Sequence, residues 1–196
     1  AAISSKELTV TGLTATNKAY DGTTEATVSA GELQGVITGD AVSTSSPSYA
    51  FASADVGTGI AVSSTESYSL TGSAAGNYTL SQPSVALTAA ISSKELTVTG
   101  LTATNKVYDG TTEGFKTGIA TLSGVEGSEV VSLSGVPVHR FISSNTGTDI
   151  TVNTTGYSIS GVTAENYSLT QPIHSAHITP KGLTITADAI TKAKDD

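Results

Sequence analysis

A chain without cysteine must draw any chemistry from carboxylates, imidazoles, amines and hydroxyls, and here the first three are few. Asp21, Glu25, Asp40 and Asp55 are the carboxylates that could gather around Ca²⁺, a hard cation that takes several oxygens at once. There is no D-x-D-x-D-G loop to force them together, and the partner of Asp55 in the second half of the chain is Asn145. Calcium is therefore the second reading of these acids, as a stiffener between domains, and the first is no cofactor at all. The three histidines, His139, His174 and His177, all fall in the second half. His174 and His177 are three apart in a segment read as a strand, which puts them on opposite faces and spoils a two-histidine zinc site. A thiol nucleophile is excluded, and no G-x-S-x-G, Walker or G-x-G-x-x-G pattern occurs. One covalent reading remains: Lys18 or Lys106 could condense with Asn77 or Asn166 to an amide with loss of ammonia. The plainer reading is a solvated lysine and a turn asparagine. No catalytic residue, no metal ligand and no enzyme activity are expected.

The elements that would position these groups repeat. Residues 2–18 recur unchanged at 90–106, and the copy resumes as Y-D-G-T-T-E at 20–25 and 108–113. The offset is 88 at Tyr20 and Tyr108, 90 at Phe51 and Phe141, and 89 at Tyr78 and Tyr167. The middles therefore diverge by small insertions while the ends keep step. A third start is read at Ile178, giving expected domains at 1–91 and 92–178 and an opening repeat at 179–196. Units of this length can each hold a core, unlike solenoid repeats that must share one.

The local pattern is strand after strand. Leu8 and Val10 alternate with threonine, then Leu13 and Ala15 continue out of phase across Gly12, so Gly12 and Gly100 read as bulges or sheet crossings. Further period-two pairs are Tyr49 with Phe51, Ile60 with Val62, Tyr68 with Leu70 and Tyr78 with Leu80, separated by Gly, Asp and Pro turns. Tyr20-Asp21-Gly22 and Tyr108-Asp109-Gly110 suit tight turns in which glycine takes a positive φ, aspartate accepts backbone N–H groups and tyrosine packs across the base. Tyr78 and Tyr167, each after a short corner, resemble the tyrosine corner of immunoglobulin-like sandwiches, with a plain core tyrosine as the other reading. The expected fold is all-β: two tandem immunoglobulin-like antiparallel β-sandwiches, end to end. Only residues 92–94 separate the last strand of the first unit from the next, and Pro180 stands at the second junction, so both joins are expected to be stiff. Residues 187–196 carry the only hint of helix.

Charge narrows the partners. A formal charge of −8 with nine Lys and Arg disfavours nucleic acid and anionic membrane surfaces, which need clustered cations. No stretch approaches the length of a membrane-spanning helix, so direct membrane insertion is not expected, and any export signal or anchor is expected outside these residues.

Taken in order, K-V-Y-D-G-T-T, G-V-E-G-S-E-V-V-S-L-S-G, S-Y-A-F-A-S-A-D-V-G-T-G, G-N-Y-T-L-S-Q-P and the I-T-P-K junction resemble the YDG domain, a repeat of large bacterial surface and filamentous-haemagglutinin-like adhesins. The resemblance implies an extracellular protein of the bacterial cell surface whose repeats form a stalk projecting a distal binding region, with neighbouring repeats as partners. It supplies no catalytic or ligand-binding residues. The alternative is that the units are themselves adhesive, binding host or matrix glycan or protein through their divergent middles. His139, Arg140 and Phe141, a basic-aromatic insertion in the second unit, are the candidate contacts.

Overall fold

Threonine, serine and valine at alternating positions build strands, and the computed structural model, which describes residues 2–188, is all-β with curled sheets. Strand accounts for 52% of it, with no α-helix among the described residues. In chain order the strands are β1 (Lys6–Thr11), β2 (Lys18–Ala19), β3 (Glu25–Ala26), β4 (Glu32–Gln34), β5 (Ser43–Ser45), β6 (Tyr49–Phe51), β7 (Gly57–Ser63), β8 (Ser69–Thr71), β9 (Tyr78–Ser81) and β10 (Leu87–Ser92). They continue as β11 (Lys94–Ala103), β12 (Lys106–Val107), β13 (Lys116–Ser123), β14 (Ser132–Phe141), β15 (Gly147–Ser160), β16 (Tyr167–Thr170) and β17 (Ile173–Thr179). Residues 189–196, which hold most of the hint of helix and the last part of the segment assigned to a third repeat, lie outside the described residues.

The chain forms two compact units. The first gathers residues 1–96, 124–132 and 160–168; the second gathers 97–123, 133–159 and 169–196. The sheets run β4-β1-β9, β2-β10-β7-β6-β3, β13-β11-β16, β12-β17-β15-β14 and the small pair β5-β8. The sheets that hold β1, β10 and β17 are mixed, which corrects the expectation of antiparallel sheets throughout. β1 runs parallel to β9, β2 to β10 and β12 to β17. Parallel neighbours need a long crossover between them, and here β2 to β8 lie between β1 and β9 in sequence.

Alternation sets the core. Leu8 and Val10 on β1 are buried while Thr9 and Thr11 face out, and Leu96 and Val98 on β11 repeat the pattern. The first unit buries Phe51, Val62, Leu87 and Ile91. In the second, Phe141, Val152, Ala176 and Ile178 form a core with Ala103 and Ile150 packed against it. The glycine irregularity read from sequence is visible at Gly100, where the register of β11 against β13 slips between Thr99 and Leu101. Gly100 has φ 81° and approaches the backbone of Ile119 so closely that an added Cβ would lie 2.3 Å from its carbonyl oxygen. Only glycine fits there. Between β10 and β11 a single residue, Ser93, lies outside strand.

Candidate functional site

The tyrosine–aspartate–glycine turn is organised by a residue not singled out for it, the lysine two positions earlier. Gly22 takes φ 74°, and Asp21 Oδ1 accepts the Thr23 N–H at 2.9 Å, the Thr23 hydroxyl at 2.8 Å and the Lys18 ammonium at 2.7 Å. Lys18 Nζ also donates to the carbonyl of Thr23 at 2.8 Å. The second unit repeats this: Lys106 Nζ reaches Asp109 at 2.8 Å and the carbonyls of Thr111 and Glu113 at 2.8 and 3.0 Å. Its side chain is only 8% exposed, and the ammonium stands 5.6 Å over the Phe141 ring, as Lys18 stands over Phe51. The lysine bond, backed by the threonine bonds, holds the carboxyls of Asp21 and Asp109 at about 2. A turn whose charged atoms satisfy one another is a clip: it fixes a corner and leaves Asp21 committed to the protein's own donors.

Each corner tyrosine reaches across its sheet instead of bonding to backbone just upstream. The Tyr78 phenol accepts the Ile37 N–H at 3.1 Å and donates to Asp40 Oδ2 at 2.5 Å. The Tyr167 phenol accepts the Glu126 N–H at 3.0 Å and donates to Glu129 Oε2 at 2.8 Å. Phenol and carboxylate thereby tie the strand after the corner to a turn some forty positions earlier. Asp40 and Glu129 serve the tyrosines and do not join Asp21; among the described residues no three His, Asp or Glu side chains converge on a metal-sized point.

Within the first compact unit the carboxylate of Glu129 takes a second phenol. Tyr20, 4% exposed, donates to Glu129 Oε1 at 2.5 Å, and its ring meets Tyr167 edge-on at 5.3 Å between centroids. The Glu129 bond, with burial behind it, pushes the Tyr20 phenol up to about 12, and the same bond holds the Glu129 carboxyl below its ordinary range. Beside it the buried Asn166 accepts the Val56 N–H at 2.9 Å through Oδ1 and donates to Asp55 Oδ1 at 3.0 Å through Nδ2. An ion pair of Lys94 with Glu126 completes the group. These bonds join the tyrosine turn and the 53–56 loop to segments 124–132 and 160–168 within one unit. Neither lysine of the amide reading lies on an asparagine: Lys18 and Lys106 are spent on their turns, and Asn166 on Asp55 and Val56.

The basic-aromatic stretch of the second unit divides. Phe141 is 3% exposed and belongs to the core, where its N–H is held by the Thr112 carbonyl, so it is withdrawn from any surface contact. Arg140 pairs through its backbone with Glu113 in an isolated antiparallel β-bridge. His139 turns its Nδ1 to the buried Thr154 hydroxyl at 3.1 Å, and Lys116 Nζ bonds the same oxygen at 2.5 Å. His174 lies next to them with its Nε2 buried and unpartnered. His177 is separate and accepts the Asp149 N–H. Strand register shows what these basic groups replace. Ala103 pairs with Lys116 as Ala15 pairs with Val28, and Val152 pairs with His174 as Val62 pairs with Leu87. With no carboxylate in the cluster, burial pushes Lys116 down to about 8 and both histidines below their ordinary value. The corresponding part of the first unit is a half-open cavity of about 260 Å³ lined by Tyr49, Glu66, Tyr68, Gln82, Val85 and Leu87, among others.

The tyrosine turns were found by their residue types. The acids that meet the corner tyrosines were missed, although one signal existed: Asp40 and Glu129 keep a carboxylate at the 89-residue offset within otherwise divergent middles. Compared with known families, the chain matches the YDG domain model twice, over residues 4–85 and 92–174. No curated protein and no solved structure matches it.

Proposed function

This chain belongs to the YDG domain family, with two tandem copies, and on that premise we propose that it is a non-catalytic spacer in the stalk of a secreted bacterial surface adhesin. The observation that carries the reading is the tyrosine–carboxylate group of the first compact unit. Residues from the first family match, Tyr20, Asp55 and Val56, are bonded to Glu129 and Asn166 from the second, and the Tyr20 ring meets that of Tyr167. A repeat that only had to display a binding surface would not need such a joint; one that must hold its neighbour in a fixed attitude does. The single residue between β10 and β11 supports it, because so short a connection cannot act as a flexible coil. The acidic balance, −8 overall, suits a solvated extracellular rod and no nucleic-acid partner. Each repeat is read as an immunoglobulin-like sandwich, in keeping with the one-sided burial of β1 and β11.

An adhesive role rests on the first-unit cavity, where two tyrosines, a glutamate and a glutamine line a space of about 260 Å³. A glycan array and a cell-binding assay on the isolated chain separate the readings. A spacer gives no saturable binding to any glycan or cell surface; saturable binding abolished by Tyr68→Ala would replace the spacer with the adhesive module.

A further inference from the structure

The joint inside the first compact unit has two sides, and each side occurs a second time without such a partner among the described residues. One side is a tyrosine turn with an adjoining loop: Tyr20, Asp55 and Val56. At the same place in the second unit stand Tyr108, Asn145 and Thr146, with Tyr108 41% exposed where Tyr20 is 4% exposed. Asn145 and Thr146 are exposed as well, and the three line an open cavity with Pro180, Lys181 and Leu183.

The other side is a corner with a bridging acid: Glu129, Asn166 and Tyr167. Its counterpart in the first unit is Asp40, Asn77 and Tyr78. Glu129 gives one oxygen to its own corner tyrosine and the other to Tyr20. Asp40 accepts from Tyr78 through Oδ2, and among the described residues its Oδ1 has no hydrogen-bond partner. Asn166 is buried by the bonds it makes, whereas Asn77 is exposed. Ile37, beside this corner, is 53% exposed. Asp40, Asn77 and Tyr78 line a cavity of about 350 Å³ with Ile3, Ser4 and Ile37.

We propose that these two faces are docking sites for further units of the YDG family: the Asp40–Asn77–Tyr78 face receives the tyrosine turn of a preceding unit, and the Tyr108–Asn145–Thr146 face receives the acid and corner of a following one. Donor and acceptor requirements match on both. An incoming phenol finds the free oxygen of Asp40. An incoming corner asparagine accepts the Thr146 N–H as Asn166 accepts that of Val56, and donates to Asn145 Oδ1 as Asn166 donates to Asp55. The replacement of Asp55 by Asn145 keeps the acceptor while removing a charge, so the second face forms a neutral amide pair where the first forms a charged one. The occupant is a family unit because only a phenol and a carboxylate-bearing corner together satisfy both faces. The inference builds on the spacer reading and names its partner.

The test is a chain extended by a second copy of residues 92–178 inserted after Ile178, compared with the parent. In the parent, Tyr108→Phe leaves the denaturation midpoint unchanged, since this hydroxyl has no partner among the described residues. In the extended chain the same substitution lowers the midpoint about as much as Tyr20→Phe lowers it in the parent, and exchange of the Thr146 amide slows by about tenfold or more relative to the parent. Tyr108→Phe silent in both chains, with Thr146 exchanging equally fast in both, overturns the proposal. If the extended chain nevertheless grows in length by a constant step in small-angle scattering, the docking chemistry is wrong and the spacer reading survives.

Discussion

Replacing Tyr20 by phenylalanine removes the phenol hydroxyl, whose strongest bond is to Glu129, and nothing else. The ring stays, so the buried apolar surface and the edge-on contact with Tyr167 are kept. What is lost is a phenol-to-carboxylate bond of 2.5 Å. Hydrogen bonds to charged groups contribute about 1.5–3 kcal/mol, against about 1 for neutral pairs. The lower end applies, because half-buried Glu129 keeps its bond to Tyr167 and its freed oxygen can recruit water. A loss of about 1.5 kcal/mol, at a urea slope of about 2 kcal/mol per molar, lowers the midpoint by about 0.7 M. The chain has no tryptophan, so far-ultraviolet circular dichroism is the signal to follow. A double-mutant cycle with Glu129→Gln should return a coupling of about 1 kcal/mol. The phenol also gives an alkaline signature. Its folded value of about 12 lies above the ordinary 10, so its contribution is complete below pH 10 and fades as pH rises from 10 to 12. Tyr20→Phe removes that limb. A cost for Tyr20→Phe that is the same in the Glu129→Gln background would refute the reasoning, because the two side chains would then not be coupled.

Three other outcomes follow from the geometry. Lys106→Met should lower the melting temperature by about 5 °C or more, because the nearly buried ammonium serves Asp109, Thr111 and Glu113 at once; an unchanged melting temperature would mean that the turn holds without its lysine. Gly100→Ala should cost about 1–3 kcal/mol by equilibrium denaturation, from its positive φ and the collision with the Ile119 carbonyl, and a neutral result would show that β11 can shed its bulge. Acid should weaken the second unit through His139 and His174, whose folded values lie below the ordinary 6.5. Stability is then intact above that pH and falls below it, as the unfolded chain takes up protons first. Lys116 adds a similar loss between pH 10.5 and about 8. The groups facing the cluster are Lys116 on β13, His139 on β14, Thr154 on β15 and His174 on β17, none of them acidic. His174→Leu, which installs the residue of the first unit, should flatten the limb below pH 6.5 in a pH series of urea midpoints, and an unaltered limb would exonerate the histidine.

What could be read from the chain was local. Leu8 with Val10, and Leu96 with Val98, declare a half-buried strand because the pleat has a period of two. Asp-Gly declares a turn because glycine alone takes its φ cheaply, and the phase change at Gly100 marks a bulge for the same reason. What could not be read was the pairing of distant segments. The parallel run of β1 beside β9 has no sequence mark, since either direction of pairing buries the same face. Lys18 looked like any surface lysine, because its burial depends on where Phe51 and the Thr23 carbonyl come to rest. The corner tyrosines were found, but their acids lie 38 positions away, beyond the reach of a motif. Phe141, taken with its basic neighbours for a surface contact, occupies the place of the buried Phe51, and the shared 90-residue offset already pointed there.

If the molecule's task is to hold distance, length must follow repeat number. Small-angle scattering on the parent chain and on chains lengthened by one and two copies of residues 92–178 measures this directly. The spacer account predicts that the maximum dimension grows by the same step, about 30–40 Å, with each added copy. Growth that falls off with each copy, as in a flexibly jointed chain, or no growth at all, would contradict it.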